Sequence, residues 1–320
     1  GGDDDEGDLA LRSELIASEL DDTMSLVDLE ISSLNLTSAG PNPTGNEDGL
    51  QTALFPLTRT SERTCTGSTD GQSATATHAL SKSDSKTMKR RGENVTVQQA
   101  SVVTATNKWF ISEPAASINC NSEHKVRIPW LQVTSATQQK TEDRDTTRAI
   151  NLPRGLKNKL MKSNHVVVNK TSTINHSRST AGGVTTLERS MAFSATYNYD
   201  FVTGSEKAVT AKTTVSAPAD TPILSRLTFE GGTLTSRTIV SGTQSSTKAD
   251  DGKTTKMTFT NVVFSSAADC QPTSGTITGQ ILAADQSVEE TFTITFAAGE
   301  GTIVYQSSGK QDTYAQDCMN

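Results

Sequence analysis

Histidine and cysteine are the side chains best suited to chemistry in this chain, and there are four of each. They are His78, His124, His165 and His176, and Cys65, Cys120, Cys270 and Cys318. A zinc site needs three or four convergent ligands. His165 and His176 are candidates to face each other across a hairpin, but no H-E-x-x-H motif or carboxylate cluster accompanies them. No metal and no cofactor is expected. A P-loop, a G-x-G-x-x-G turn and a G-x-S-x-G nucleophile elbow are all missing. Serine is too common for a Ser/His/Asp triad to stand out. The acids of the body are scattered, with no pair placed as glycoside hydrolysis requires. The expectation is a protein that is not an enzyme, with a secreted hydrolase as the remote alternative.

The cysteines form no C-x-x-C pair, which argues against a zinc ribbon or a redox motif. Two disulfides fit better, and they imply an oxidising compartment. Three pairings are open. Cys65–Cys120 and Cys270–Cys318 are favoured, because each pair brackets its own set of strands. Each closes a loop of roughly 50 residues, worth on the order of 4 kcal/mol in the chain-entropy model.

The elements that would position these residues are mostly strands. The stretch from Lys253 to Cys318 sets the pattern for the rest. Met257, Phe259, Val262 and Phe264 nearly alternate with threonines, and Phe292, Ile294 and Phe296 alternate strictly with Thr291, Thr293 and Thr295. Period two buries one side-chain set and leaves the other in water. The same grammar recurs from His165 to Val240, with turn signals at Gly182-Gly183, Gly231-Gly232 and Asp250-Asp251-Gly252. Upstream, residues 94–111 read as a strand pair and residues 125–133 as a shorter alternation around Trp130. Residues 138–148 are polar and charged, and read as an exposed strand or loop. Residues 153–163 have a weak helical flavour. The fold class is all-β: long antiparallel strands in a meander, forming one extended sheet or a sandwich.

Composition agrees with that reading. Apolar residues make up 33% of the 320 and aromatics 5%, while Ser and Thr number 85. Threonine is β-branched and suits the solvent face of a strand. Much sheet surface over a thin core is expected, rather than a globe around a deep pocket. The expected divisions are an acidic tether at 1–8, an N-terminal arm and linker at 9–50, and β regions at 51–163 and 164–320.

The arm carries an apolar stripe of Leu9, Ile16, Leu20, Met24, Val27, Ile31 and Leu34. The three–four spacing is that of an amphipathic helix, although a strand from Val27 to Leu36 competes. Residues 1–50 hold thirteen acids against one base, Arg12, a net of −12; with the whole chain at −7, the remainder is +5. The stripe needs an apolar surface. Either its own β body or a neighbouring subunit can supply one, and self-association or a protein partner through this arm is the sharper expectation. Basic residues thicken around Lys86, Lys89, Arg90 and Arg91, and again from Arg144 to Lys170. No aromatics are interleaved with them, so no nucleic acid partner is expected; an acidic glycan or lipid is the partner such a face would take.

The opening Gly1-Gly2-Asp3-Asp4-Asp5-Glu6-Gly7-Asp8 resembles the small, acidic tether that follows the acylated cysteine in mature bacterial lipoproteins. In broad character the whole chain resembles a Ser/Thr-rich all-β bacterial envelope lipoprotein. The resemblance implies a lipid anchor upstream of Gly1 and an extracytoplasmic place, anchored to the outer membrane, at the cell surface, or secreted. The function expected is a non-catalytic structural or interaction protein of the envelope, such as an assembly subunit or adhesin module. The alternative is a lipid- or glycan-binding module using a basic face or a β cleft. Four N-x-S/T sequons, at Asn35, Asn94, Asn169 and Asn175, would be glycan sites only in a eukaryotic secreted protein.

Overall fold

A computed structural model describes residues 16, 20, 58–90, 93–130, 132–151, 161–203, 208–231, 233–264, 272–297 and 300–314. Its strands are β1 (Thr58–Gly67), β2 (Ser73–Arg90), β3 (Glu93–Phe110), β4 (Asn119–Cys120), β5 (Val126–Arg127), β6 (Ser135–Asn151), β7 (Met161–Ala181), β8 (Val184–Thr203), β9 (Ala208–Ala217), β10 (Ile223–Glu230), β11 (Thr233–Lys248), β12 (Thr254–Phe264), β13 (Ser274–Leu282), β14 (Val288–Ala297), β15 (Glu300–Tyr305) and β16 (Gln311–Tyr314). Fourteen of them form one antiparallel sheet in largely sequential order. The fold is all-β, a meander of long hairpins. The sheet runs unbroken past residues 163 and 164, where a division between two β regions is expected. β6 and β7 pair there from Ser135–Ser177 to Ala149–Ser163.

One departure from a simple meander has a sequence cause. The first half of β8 pairs β10 and the second half pairs β9, and both of these also pair β11. β9 and β10 thus lie end to end in one strand position. Pro218 and Pro222 lie between them, and a proline cannot donate to a ladder. The gap is bridged by Thr243 N donating to Thr221 O at 3.1 Å.

Alternation puts one side-chain set of every long strand on a single inner face. At one end that face carries the main core, built from Met257, Phe259, Ile277, Phe292, Ile294, Phe296 and Ile303 together with Val168, Phe193, Tyr197 and Phe201 of β7 and β8. Ile16 and Leu20 are helical and belong to the same cluster. A second core holds Trp109, Leu187, Leu227 and Phe229 of the sheet against Ile118, Val126, Ile128 and Trp130 of the segment between β3 and β6. That segment is docked by Ile118 N donating to Gly71 O at 2.8 Å and by Arg178 Nη1 donating to Trp130 O at 2.8 Å. The Cys65–Cys120 disulfide, with a sequence separation of 55, ties it to the edge strand β1. This is one of the two bridges expected; Cys270 and Cys318 lie outside the described residues.

Two glycines show how tightly the C-terminal strands fit. Gly275 has φ 109 beside the register shift between Thr260 and Val263, and a side chain there would collide with the backbone of Asn261 and Val262. Gly279 faces Phe292 across β13 and β14, and the phenyl ring occupies the space a Cβ would need. Gly279→Ala is therefore expected to overpack the core and cost about 1–3 kcal/mol. Urea unfolding measures this, and an unchanged midpoint would contradict the seating of Phe292.

Candidate binding surfaces

The inner face changes character across the sheet. On β12 to β15 it is apolar. On β3, β6 and β7 it carries Gln99, Ser101, Asn107, Gln138, Glu142, Thr146, Lys170, Ser172 and His176, all buried. Residues 138–148, expected as an exposed strand or loop, are the middle of β6, and their even-numbered side chains point inward. The difference arises because β6 is polar on both faces, so hydropathy does not mark the buried one.

Several of these buried polar groups are paired, although His176 Nδ1 has no hydrogen-bond partner. Gln138 Nε2 donates to Asn107 Oδ1 at 2.8 Å, and Gln138 Oε1 lies 3.0 Å from His176 Nε2. The His176 ring lies 4.8 Å from that of Trp109, centroid to centroid. Burial, aided by the nearby charge of Arg189, pushes the His176 pKa well below the usual imidazole value. The ring is neutral, so Nε2–H donates to Gln138. Arg148 Nε donates to Gln99 Oε1 at 2.6 Å, and Ser101 and Thr146 share a 2.8 Å bond.

Glu142 is the charged centre of this band. Lys140 Nζ lies 2.8 Å from it. Burial raises its pKa, but the charges of Lys140, Arg144 and Lys170 and the Lys140 hydrogen bond outweigh burial and hold it at about 2. Lys170 also lies over the Phe193 ring at 4.3 Å. Arg144, Arg148 and Lys170 therefore sit on the inner face of central strands, not on an exposed edge.

The histidines do not converge. His165 and His176 lie on the same strand, β7, and point to opposite faces, because they are eleven positions apart and side chains alternate. His165 is on the outer face, 2.8 Å from Asp145 and 3.9 Å from Asp200. His78 lies 2.8 Å from Ser61 Oγ on the edge hairpin. His124 occupies a turn with φ 56. Among the described residues no three of His, Cys, Asp and Glu are placed to hold a metal ion. No described helix is long and apolar enough to cross a membrane. Of the stripe residues, Ile16 and Leu20 are buried in the chain's own core; Leu9, Met24, Val27, Ile31 and Leu34 lie outside the described residues.

The outer face holds an arrangement that strand-by-strand reading does not reveal. Register aligns Thr64, Thr77, Thr106, Thr141, Thr171, Ser194, Ser216 and Ser245 into one row across eight neighbouring strands. At a strand spacing of about 4.8 Å, the row spans about 34 Å. Thr64 and Thr77 hydrogen-bond each other through their hydroxyls. Near the middle of the row lies a groove of about 460 Å³, lined among others by Thr106, Lys108, Gln139, Thr141, Thr171 and Ser194. Further along, Ser241, Thr260, Thr276, Thr295 and Thr302 form a second hydroxyl row over β11 to β15. Trp109 and Trp130 are fully buried in the second core, so neither offers a stacking platform.

No family model, no curated protein and no solved structure matches this chain.

Removing the Glu142 charge should leave Lys140, Arg144 and Lys170 without it. Glu142→Gln is expected to cost on the order of 3 kcal/mol at pH 7. Because the folded pKa lies below the unfolded one, the wild-type advantage is complete above about pH 4.5 and fades as pH falls toward 2. Urea titrations of both proteins at pH 7 and pH 3 check this. An equal gap at both pH values would mean that Glu142 is not ionised in the fold.

Proposed function

We propose that the chain is a non-catalytic interaction protein of the bacterial envelope, working outside the cytoplasm, that lays its hydroxyl-bearing outer face against a carbohydrate polymer. The observation that carries this reading is the eight-strand hydroxyl row with its central groove. Threonine and serine hydroxyls both donate and accept, as sugar hydroxyls do, and the groove adds the amide of Gln139 and the ammonium of Lys108. Each such contact is weak in water, since protein–sugar bonds replace bonds to solvent. Repetition along a row raises the avidity for a polymer that repeats in turn. The lipid alternative rests on the inner-face cations, which are half-buried or buried, whereas the groove opens on the outer face.

The extracytoplasmic setting draws on the Cys65–Cys120 disulfide, which fits an oxidising compartment. The bacterial envelope assignment draws on the broad resemblance of this Ser/Thr-rich all-β chain to envelope lipoproteins. The scatter of the histidines supports a non-catalytic role: the His165–Asp145 pair and the Ser61–His78 pair belong to different strands and different parts of the sheet.

Affinity electrophoresis through gels containing soluble lipopolysaccharide-derived polysaccharide or sonicated peptidoglycan tests the proposal. The triple variant Thr106→Val, Thr141→Val, Thr171→Val keeps β-branched shape and removes three hydroxyls from the groove. The full chain should be retarded by at least one polymer, and the variant should need about tenfold more polymer for equal retardation, as expected when several bonds of about 0.5–1.5 kcal/mol are lost. Equal retardation of the two proteins, or none of the full chain by either polymer, would overturn the reading.

A further inference from the structure

On the inner face, β3 and β6 set a lysine against an asparagine. Lys140 lies directly opposite Asn107 in the register. Directly opposed Cβ atoms in an antiparallel pair are about 4.5–5.5 Å apart, within the reach of a lysine side chain. Asn107 is 3% exposed and the Lys140 side chain 11%. Glu142, on the same strand and the same face as Lys140, lies 2.8 Å from its Nζ. Gln138 Nε2 donates to Asn107 Oδ1 at 2.8 Å, and His176 holds Gln138 in place from the other side.

These groups are the parts of an acyl transfer to nitrogen. Lys140 supplies an amine nucleophile, and the Asn107 carboxamide carbon is the electrophile. The Glu142 carboxylate touches the protons the amine must lose. The Gln138 N–H already points at the oxygen on which negative charge would develop, in a site with little water. Facing strands hold the two reactants together, which replaces a chance encounter of two unreactive groups. Three other lysines lie opposite a carboxamide: Lys108 with Gln139, Lys212 with Asn198, and Lys256 with Gln280. All three lysines are exposed on the outer face, where water competes for both groups.

We propose that Lys140 and Asn107 join in an intramolecular isopeptide bond, with Glu142 carrying protons and Gln138 stabilising the oxyanion. The Lys140 ammonium passes one proton to Glu142, and the freed lone pair attacks Asn107 Cγ. A second amine proton moves to Asn107 Nδ2, the Cγ–Nδ2 bond breaks, and ammonia leaves. The ammonia takes the proton held by Glu142 and departs as ammonium, which restores the carboxylate. One amide replaces another, so no oxidant or other co-reactant is needed. Glu142 is a weak base among its cations, which makes the step slow, but each molecule needs a single turnover. Arg144 and Lys170 remain beside Glu142 afterwards and keep it ionised. The product is a covalent tie between β3 and β6, independent of what the outer face binds.

Mass spectrometry of the full chain, with its disulfides reduced, tests this. The expected intact mass is one ammonia below that of the sequence. Trypsin should then release a branched peptide joining Asn107 to Lys140, with no cleavage after Lys140. The unmodified sequence mass with ordinary cleavage after Lys140 would overturn the proposal. So would an ammonia loss confined to Asn107 and Lys108, which marks a backbone succinimide instead. The variants Asn107→Ala and Glu142→Gln, checked for strand content by circular dichroism, should both keep their full sequence mass. A folded Glu142→Gln chain that forms the branched peptide in wild-type yield would overturn the role given to Glu142. The wild-type reading decides the bond itself, whether or not the variants fold.

Discussion

Every long strand in this protein satisfies its backbone through its neighbours, and that ladder of hydrogen bonds is the constraint on which everything else rests. A backbone N–H or C=O buried without a partner costs about as much as a lost hydrogen bond. The chain meets the demand with fourteen antiparallel strands in succession. Once the ladder is set, period-two geometry assigns each side chain to a face, and a slip of one residue would reverse every assignment. Phe292, Ile294 and Phe296 are inside because Thr291, Thr293 and Thr295 are outside. The same rule puts Glu142 inside and Asp143 outside on β6. A thin core suffices because one sheet face is shared by two apolar clusters, the second fastened to an edge strand by a disulfide.

The cost of this arrangement falls on the polar half of the inner face. Glutamine, asparagine and histidine side chains are buried there, and they remain because Asn107, Gln138 and His176 form a chain of hydrogen bonds. Glu142 stays ionised in low-dielectric surroundings because cations outnumber it. The outer face has the reverse economy. Thr64 and Thr77 of its row bond each other, and Thr106, Thr141, Thr171 and Ser194 line the groove, where their alignment is available to a ligand. Inner and outer surfaces thus divide the labour: one closes the fold, and the other faces whatever the protein meets.

Much of the architecture was legible in residue order. The alternation of residues 257–264 and 291–296 and the turn at Gly182-Gly183 are local signals, and the Cys65–Cys120 pairing, 55 positions apart, was favoured because the pair brackets its own strands. β6 was not, because Gln138, Lys140, Glu142, Arg144, Thr146 and Arg148 leave no hydrophobic trace of the face they bury. The relation of His165 to His176 was misread for want of parity: an odd separation along one strand sends them to opposite faces. The hydroxyl row was beyond reach for a different reason. Thr64, Thr77, Thr106 and Thr141 each sit in ordinary Thr-rich strands, and their alignment exists only after seven registers are known. The joint position of β9 and β10 had a visible trace in Pro218 and Pro222, which mark a break without saying what it joins.

The central claim is that one continuous sheet, and not two β units in tandem, holds the chain together. Equilibrium urea unfolding followed by two probes tests it most directly. Both tryptophans, Trp109 and Trp130, lie in the second core and report on that end alone. Far-UV circular dichroism reports on all fourteen strands. A single ladder running from β1 to β16 should give coincident transitions with one midpoint. A tryptophan transition completed while circular dichroism still shows a separate, later unfolding step would contradict the account.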